Sequence, residues 1–309
     1  MKLNFFLLLT VLLGLSINQS VFAQTATKEA DTATETAQQD ESVSDSMNRY
    51  MRIRVDKDKK PVAMETSVTR YVTKNDAGER VTVDLIGVVH IGEKKYYDDL
   101  NELFTKYDAL LYELVAPEGT VIPRGGGERG FNPVSGIQQM LQGVLGLEFQ
   151  LEHIDYTVEN FVHADMTPEE FATSMEENNE SLFKMVLKGI GQSMAMQSKG
   201  KSNDLEMFMA MASGDESSLR RIMAEQMLDM ESGMVIFQGD NGSTIIDHRN
   251  AKAFRVLKQQ IAEGKTHIGV FYGAGHLPDM DQRLLKEHGM KRAGQTLSLI
   301  HISEPTRPY

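Results

Sequence analysis

The residues best placed to do chemistry are two histidines that end matching motifs, Gly87-Val-Val-His90 and Gly273-Ala-Gly-His276. Each motif closes an apolar, β-branched run, DLIGVVHIG in the first case and THIGVFYGAGH in the second. Such runs read as buried strands of a parallel sheet, and open α/β sheets bind ligands beyond the carboxyl ends of their strands. Glycine at a strand end lets the backbone turn sharply and approach a neighbour closely. Glu113 ends a third run, Leu-Leu-Tyr-Glu-Leu-Val, on a strand expected next to the one that delivers His90. A carboxylate buried there needs a partner, and a metal ion or an arginine would supply one. His276 enters a helix opened by Pro278, where the helix N-terminus favours a neutral imidazole suited to metal binding. The chain has no cysteine, so any metal takes His, carboxylate or water. His90, Glu113 and His276 are therefore the expected ligands of a divalent ion (zinc, manganese or cobalt) with open positions for water.

Arg249 adds a planar fork that could neutralise Glu113 or hold a substrate oxyanion or carboxylate. A surface salt bridge to the adjacent Asp247 explains it equally well. His163 and Asp165 form a second-tier His-x-Asp pair that could reach the same crevice, although capping before Thr167 also accounts for Asp165. His153, His248, His267 and His288 have surface or loop explanations. Met194, Met196, Met207, Met209 and Met211 have spacings that could bind Cu(I) through thioethers. Met207 and Met211 share a helix face while Met209 does not, which favours an irregular helical core or a pliable groove.

The elements that must position these groups follow from periodicity. Residues 62–73 and 80–89 read as strands joined by the turn Lys74-Asn75-Asp76-Ala77-Gly78. Glu93 to Lys106 has helical spacing and Tyr107 to Val115 is the next strand, which together make a βαβ unit with an expected right-handed crossover. The loop Arg124–Gly130 is glycine-rich but lacks the Gly-Lys-Ser/Thr ending of a phosphate loop, so it reads as a surface loop or a flap. Residues 134–149 look helical, and Ile154 to Val162 holds short extended pieces. Thr167-Pro168-Glu169-Glu170 signals a helix start with a capping box. From there to about Gly233 the chain reads as helix, broken near Gly200 and Gly214. A helix from Ser243 or Thr244 to Glu263 follows, then a strand from His267 to Tyr272 and a closing helix from Asp279 to His288. The expected fold class is α/β, a central mostly parallel sheet with flanking helices and a large Met-rich helical insertion at about 134–235.

The two ends have other characters. Lys2, the apolar stretch Phe5–Leu15 and Val21-Phe22-Ala23 form a signal peptide over residues 1–23, too short and wrongly flanked for a membrane span. Cleavage after Ala23 would place the protein in a periplasm or outside the cell. Residues 24–48 carry one Lys against six Asp and Glu and read as a disordered acidic linker. LSLIHISEPTRPY resembles a translated sequencing-adapter read-through; residues 297–309 are set aside, and the authentic chain is expected to be cut near Thr296. Residues 49–296, roughly 250 in number, suffice for one sizeable domain. The formal charge of −12 places −8 in that domain, −5 in the linker, +1 in the signal and 0 in the tail. An acidic domain without a basic stripe argues against nucleic acid and against anionic membrane surfaces.

GVVHIG followed by YDALLYELV, then His248-Arg249-Asn250 and YGAGHLPDM, resembles the TraB/PrgY/GumN family, which includes the Tiki proteins. FQLEHIDYTVENFVHADMTPEEF is similar to the middle of its bacterial members. The resemblance spans most of residues 80–290 and implies a fold related to erythromycin esterases and haem-binding ChaN-like proteins. It implies a metal-dependent hydrolase, with protease activity in the Tiki branch. Residue by residue, His90 and His276 match the two motif histidines, Glu113 the acidic residue and Arg249 the arginine of the Arg-Asn motif. Asp279 stands where the family commonly has glycine and could add a carboxylate to the site. The expected function is a secreted or periplasmic hydrolase of a peptide or small ester. A variant of it uses no metal and a histidine base. The alternative class is a non-catalytic binder of haem, metal or peptide; haem, which needs an axial His or Tyr over a flat apolar cleft, is the less expected cofactor. No heptad pattern marks an oligomer interface.

Overall fold

The computed structural model describes residues 47–122, 147–178, 180, 206, 209–210, 213–236 and 243–301. The signal peptide, nearly all of the linker, the loop at 124–130, most of the segment at 134–149, Met194, Met196, Met207 and Met211 lie outside them. The described strands are β1 (Met51–Val55), β2 (Pro61–Lys74), β3 (Arg80–Val88), β4 (Ile91–Glu93), β5 (Ala109–Tyr112), β6 (Leu147–Phe149), β7 (Phe161–His163), β8 (His267–Gly273) and β9 (Lys291–His301). The α-helices are α1 (Lys94–Phe104), α2 (Gln150–His153), α3 (Pro168–Glu177), α4 (Glu216–Ile236), α5 (Arg249–Ala262) and α6 (Leu277–Lys286).

The α/β architecture centres on a mixed seven-stranded sheet. Its functional half is parallel, in the order β3-β8-β5-β7. β2 pairs antiparallel with β1, β3 and β9. The β2–β3 hairpin turns where expected, with Gly78 at φ 80° and the Asn75 side chain accepting the Glu79 N–H at 2.9 Å. The placement of β8 corrects one expectation. It inserts between β3 and β5, so the strand before Glu113 neighbours the strand of His276 rather than that of His90. β3 and β5 follow each other in sequence, but chain order does not report a parallel strand that arrives from far downstream.

Alternation along the parallel strands splits the core between the two sheet faces. Ile86, Val88, Leu110, Tyr112 and Phe271 pack with α1 and with Met223 and Met227 of α4. Leu85, Leu111, Val270 and Tyr272 pack with Phe254 and Leu257 of α5 and Met280 and Leu284 of α6. α1 buries Tyr96, Tyr97, Leu100 and Phe104 on one stripe. α3 begins with the capping box read from sequence, Thr167 accepting the Glu170 N–H and Glu170 accepting the Thr167 N–H. Residues 147–149 are a strand rather than helix, paired with β4.

β1 and β9 are elements that periodicity did not reveal. β9 carries the chain past Thr296, through the segment set aside above, to His301, pairing with β2. Among the described residues no helix is long and apolar enough to cross a membrane.

Candidate active site

Three parallel strands deliver the predicted residues to one sheet edge. His90 lies two residues beyond β3, Glu113 directly after β5, and His276 in the 3-10 turn Ala274–His276 that continues β8. At both motif glycines a side chain would crowd its neighbours. A Cβ on Gly273 would sit 3.3 Å from Glu113 Oε2, the same oxygen that accepts the Gly273 N–H at 2.7 Å. A Cβ on Gly87 would lie 3.1 Å from Leu277, the residue after His276, so the two motifs lean on each other. Neither glycine is among those with positive φ.

Arg249 reaches this edge from the start of α5, which a single π-helical turn, Thr244–His248, feeds directly. Such turns shift helical register and occur often at functional sites. Arg249 is 8 % exposed. Its Nε and Nη2 form a bidentate pair with Asp165, at 2.9 Å to Oδ1 and 2.6 Å to Oδ2. Nη2 also donates to Glu113 Oε1 at 2.6 Å, and Nη1 faces Ile245 O at 3.4 Å and His276 Nε2 at 3.5 Å. Every N–H of the group therefore has a partner. This excludes the surface bridge to Asp247, which instead faces Arg283 at 4.0 Å, and leaves the long Nη1 contact to His276 as the one N–H that another acceptor could take over. Two carboxylates share one guanidinium, so the cluster keeps one excess negative charge when the histidines are neutral.

Burial alone would raise the Glu113 pKa. The charge of Arg249 is the largest opposing influence and, with the neighbouring His276 and His90, holds the group well below the usual carboxylate range. Glu113 is thus a poor base and fully ionised at neutral pH. Burial likewise opposes the charge of Arg249, but Asp165 and Glu113 override it and raise its pKa. Burial also raises the Tyr272 phenol, which donates to Ala164 O at 2.7 Å and so helps to place Asp165.

His276 is fully buried and its tautomer follows from its neighbour. Asn250 Nδ2 donates to His276 O at 3.2 Å and to Asp279 Oδ2 at 2.8 Å. Its Oδ1 therefore faces His276 Nδ1, 2.7 Å away, and must accept a proton from it. Nε2 is left with its lone pair, which faces Arg249 Nη1 at 3.5 Å and lies 3.4 Å from Glu113 Oε1. His90 is held in the same manner, Nδ1 lying 3.0 Å from Gln150 Oε1, while Gln150 Nε2 meets the Tyr156 hydroxyl at 2.9 Å. Side-chain acceptors at Nδ1 are the usual means of aiming Nε2 at a metal.

The residue types, imidazole and carboxylate, are those that bind a divalent ion, although Arg249 Nη2 and Nη1 already face Glu113 Oε1 and His276 Nε2. Donors about 2.1 Å from a tetrahedral ion are about 3.4 Å apart, the separation seen between His276 Nε2 and Glu113 Oε1. Among the described residues no three His, Asp or Glu side chains already close into a cage. His90, half-buried at the rim, influences Glu113 through its field rather than by direct contact.

The second-tier pair divides. Asp165 is a full member of the cluster, whereas His163 Nε2 contacts Leu114 O at 2.6 Å, and its ring lies against Tyr112. Asp279 does not enter the site as a ligand; it accepts from Asn250 and from Arg283 Nε at 2.6 Å, bracing the support of His276. Gln150 and Tyr156 were not legible as site residues. Asn250 was visible only as a neighbour of Arg249. Comparison with family models, curated proteins and solved structures returned no match.

Proposed function

We propose that the chain is a periplasmic or secreted hydrolase of peptides or small esters, with its reacting centre at His90, Glu113 and His276. The observation that carries this reading is the Nε2 lone pair of His276, fixed by Asn250 and set 3.4 Å from the ionised Glu113. His90, Glu113 and His276 would hold a divalent ion, which when bound supplies Lewis acidity and a water of lowered pKa. Glu113 stays anionic because Arg249 and the Gly273 N–H hold its two oxygens. Asn250 and Gln150 engage Nδ1 of both imidazoles and so leave Nε2 as the lone-pair nitrogen. The excess negative charge of the cluster favours a cation there. The resemblance to the TraB/PrgY/GumN family supports the same reading.

α4 packs on the Ala274–His276 turn, and its Met223 and Met227 share a core cluster with Val88, Val89 and Ala274.

One observation favours a metal-free hydrolase instead. Arg249 already brings a cation to Glu113 Oε1 and lies beside His276 Nε2. In that case His276 takes the proton of the attacking water directly. A panel of peptides and small esters, assayed before and after chelation, separates the readings. We expect hydrolysis that is lost on chelation and restored by zinc, manganese or cobalt. Undiminished hydrolysis after chelation would favour the metal-free route, and no hydrolysis under any condition would leave a non-catalytic binder.

A further inference from the structure

Hydrolysis of a carbonyl needs a donor for the developing oxyanion, and four of the five Arg249 N–H groups are committed to Asp165, Glu113 and Ile245 O. A chain of side chains running from His90 ends on a further donor, a hydroxyl. For His90 to present Nε2 as a lone pair, its proton must sit on Nδ1, which then donates to Gln150 Oε1 at 3.0 Å. Gln150 must in turn point Nε2 at Tyr156, and it does so at 2.9 Å. Tyr156 therefore accepts at its oxygen, and its own O–H is left to point elsewhere. Among the described residues no group takes that proton. The ring is gripped by Tyr112 and Phe161, at centroid distances of 5.3 and 5.6 Å, so the hydroxyl is held in place. Burial keeps the phenol protonated, and the field of nearby Glu113 acts in the same direction. Reversed polarity along the chain would place the Tyr156 proton on Gln150 Oε1 and the His90 lone pair on Nδ1, away from the site. The two useful states, an open Nε2 on His90 and a free O–H on Tyr156, are thus linked through one carboxamide.

We propose that Tyr156 is a catalytic residue, donating its O–H to the oxyanion, and that Gln150 is the positioning residue that couples this donation to His90. The proposal rests on the hydrolase reading above. In the step, the oxygen of water bonds to the carbonyl carbon and the C=O π pair moves onto oxygen, where Tyr156 stabilises it. The pair then returns, the bond to the alcohol or amine breaks, and the leaving group takes up the proton that water gave up.

The test compares the wild-type chain with Tyr156→Phe, Gln150→Glu and Gln150→Leu on the peptide and ester panel, with thermal melts and zinc affinity measured beside it. Tyr156→Phe keeps the ring contacts and should lower kcat by about 10²–10³-fold with KM and zinc affinity unmoved. Gln150→Glu is the sharper variant, because a carboxylate still holds His90 Nδ1 but also takes the Tyr156 proton. It should keep zinc affinity and lose kcat as Tyr156→Phe does. Gln150→Leu should lose both, with zinc affinity falling about 10–100-fold. Wild-type kcat in Tyr156→Phe or in Gln150→Glu overturns the role of Tyr156 and leaves the hydrolase intact. Absence of any wild-type hydrolysis overturns the hydrolase and Tyr156 with it.

Discussion

Replacing Arg249 with methionine removes the guanidinium that Glu113 and Asp165 share while filling most of its volume. Glu113 Oε1 loses its partner at 2.6 Å, and Asp165 loses a bidentate pair and keeps the Met166 N–H at 2.7 Å. Breaking a buried ion pair by deleting one member costs roughly 3–5 kcal/mol. Two carboxylates lose their counter-ion here, so we expect the upper part of that range, about 4–5 kcal/mol at pH 7. For a domain of this size that corresponds to a fall in Tm of roughly 8–20 °C. The pH dependence has a definite sign. In the wild type the folded pKa of Glu113 is depressed. Its stabilisation is therefore present above the unfolded value of about 4.3 and is lost only as pH falls through the lower folded value. In the variant, burial without a cation raises the Glu113 carboxyl, so it gains a proton on folding and the penalty shrinks between pH 7 and pH 5. Urea unfolding at the two pH values reads both quantities. A loss below about 1 kcal/mol at pH 7, or one that does not shrink at pH 5, would refute the reasoning.

Three further substitutions probe the supports of the site. Asn250→Leu removes the acceptor at His276 Nδ1, and zinc affinity measured by chelator competition should fall about 10–100-fold. Gly273→Ala puts a methyl group 3.3 Å from Glu113 Oε2; the carboxylate must shift, so hydrolysis should be lost for a stability cost of about 1–3 kcal/mol in urea melts. Thr167→Ala removes the cap of α3 and should cost about 1 kcal/mol with zinc affinity unchanged, since the hydroxyl serves only the helix end.

Much of this site was legible because each of its principal residues closes an element with a local signal. His90, Glu113 and His276 each follow an apolar run, and Arg249 opens a helix. Their convergence needed only the rule that parallel strands share an edge. The pairing order was not legible, because β8 reaches its place between β3 and β5 through contacts that no local pattern encodes. β1 was hidden by the exposed Arg52 and Arg54 in its short span, and β9 by its polar, exposed first half. The use of Arg249 depended on Asp165, which capping before Thr167 explained almost as well as a place in the crevice. Gln150 and Tyr156 carry no motif. Only the turn that brings α2 beside His90, with Gln150 N donating to His90 O at 3.0 Å, marks them.

The most direct measurement is the metal content of the purified chain, by elemental analysis, beside His90→Ala and His276→Ala. A two-His one-Glu centre predicts near-stoichiometric zinc, manganese or cobalt in the wild type and its loss in both folded variants. A wild-type chain that stays metal-free after reconstitution with all three ions would contradict it.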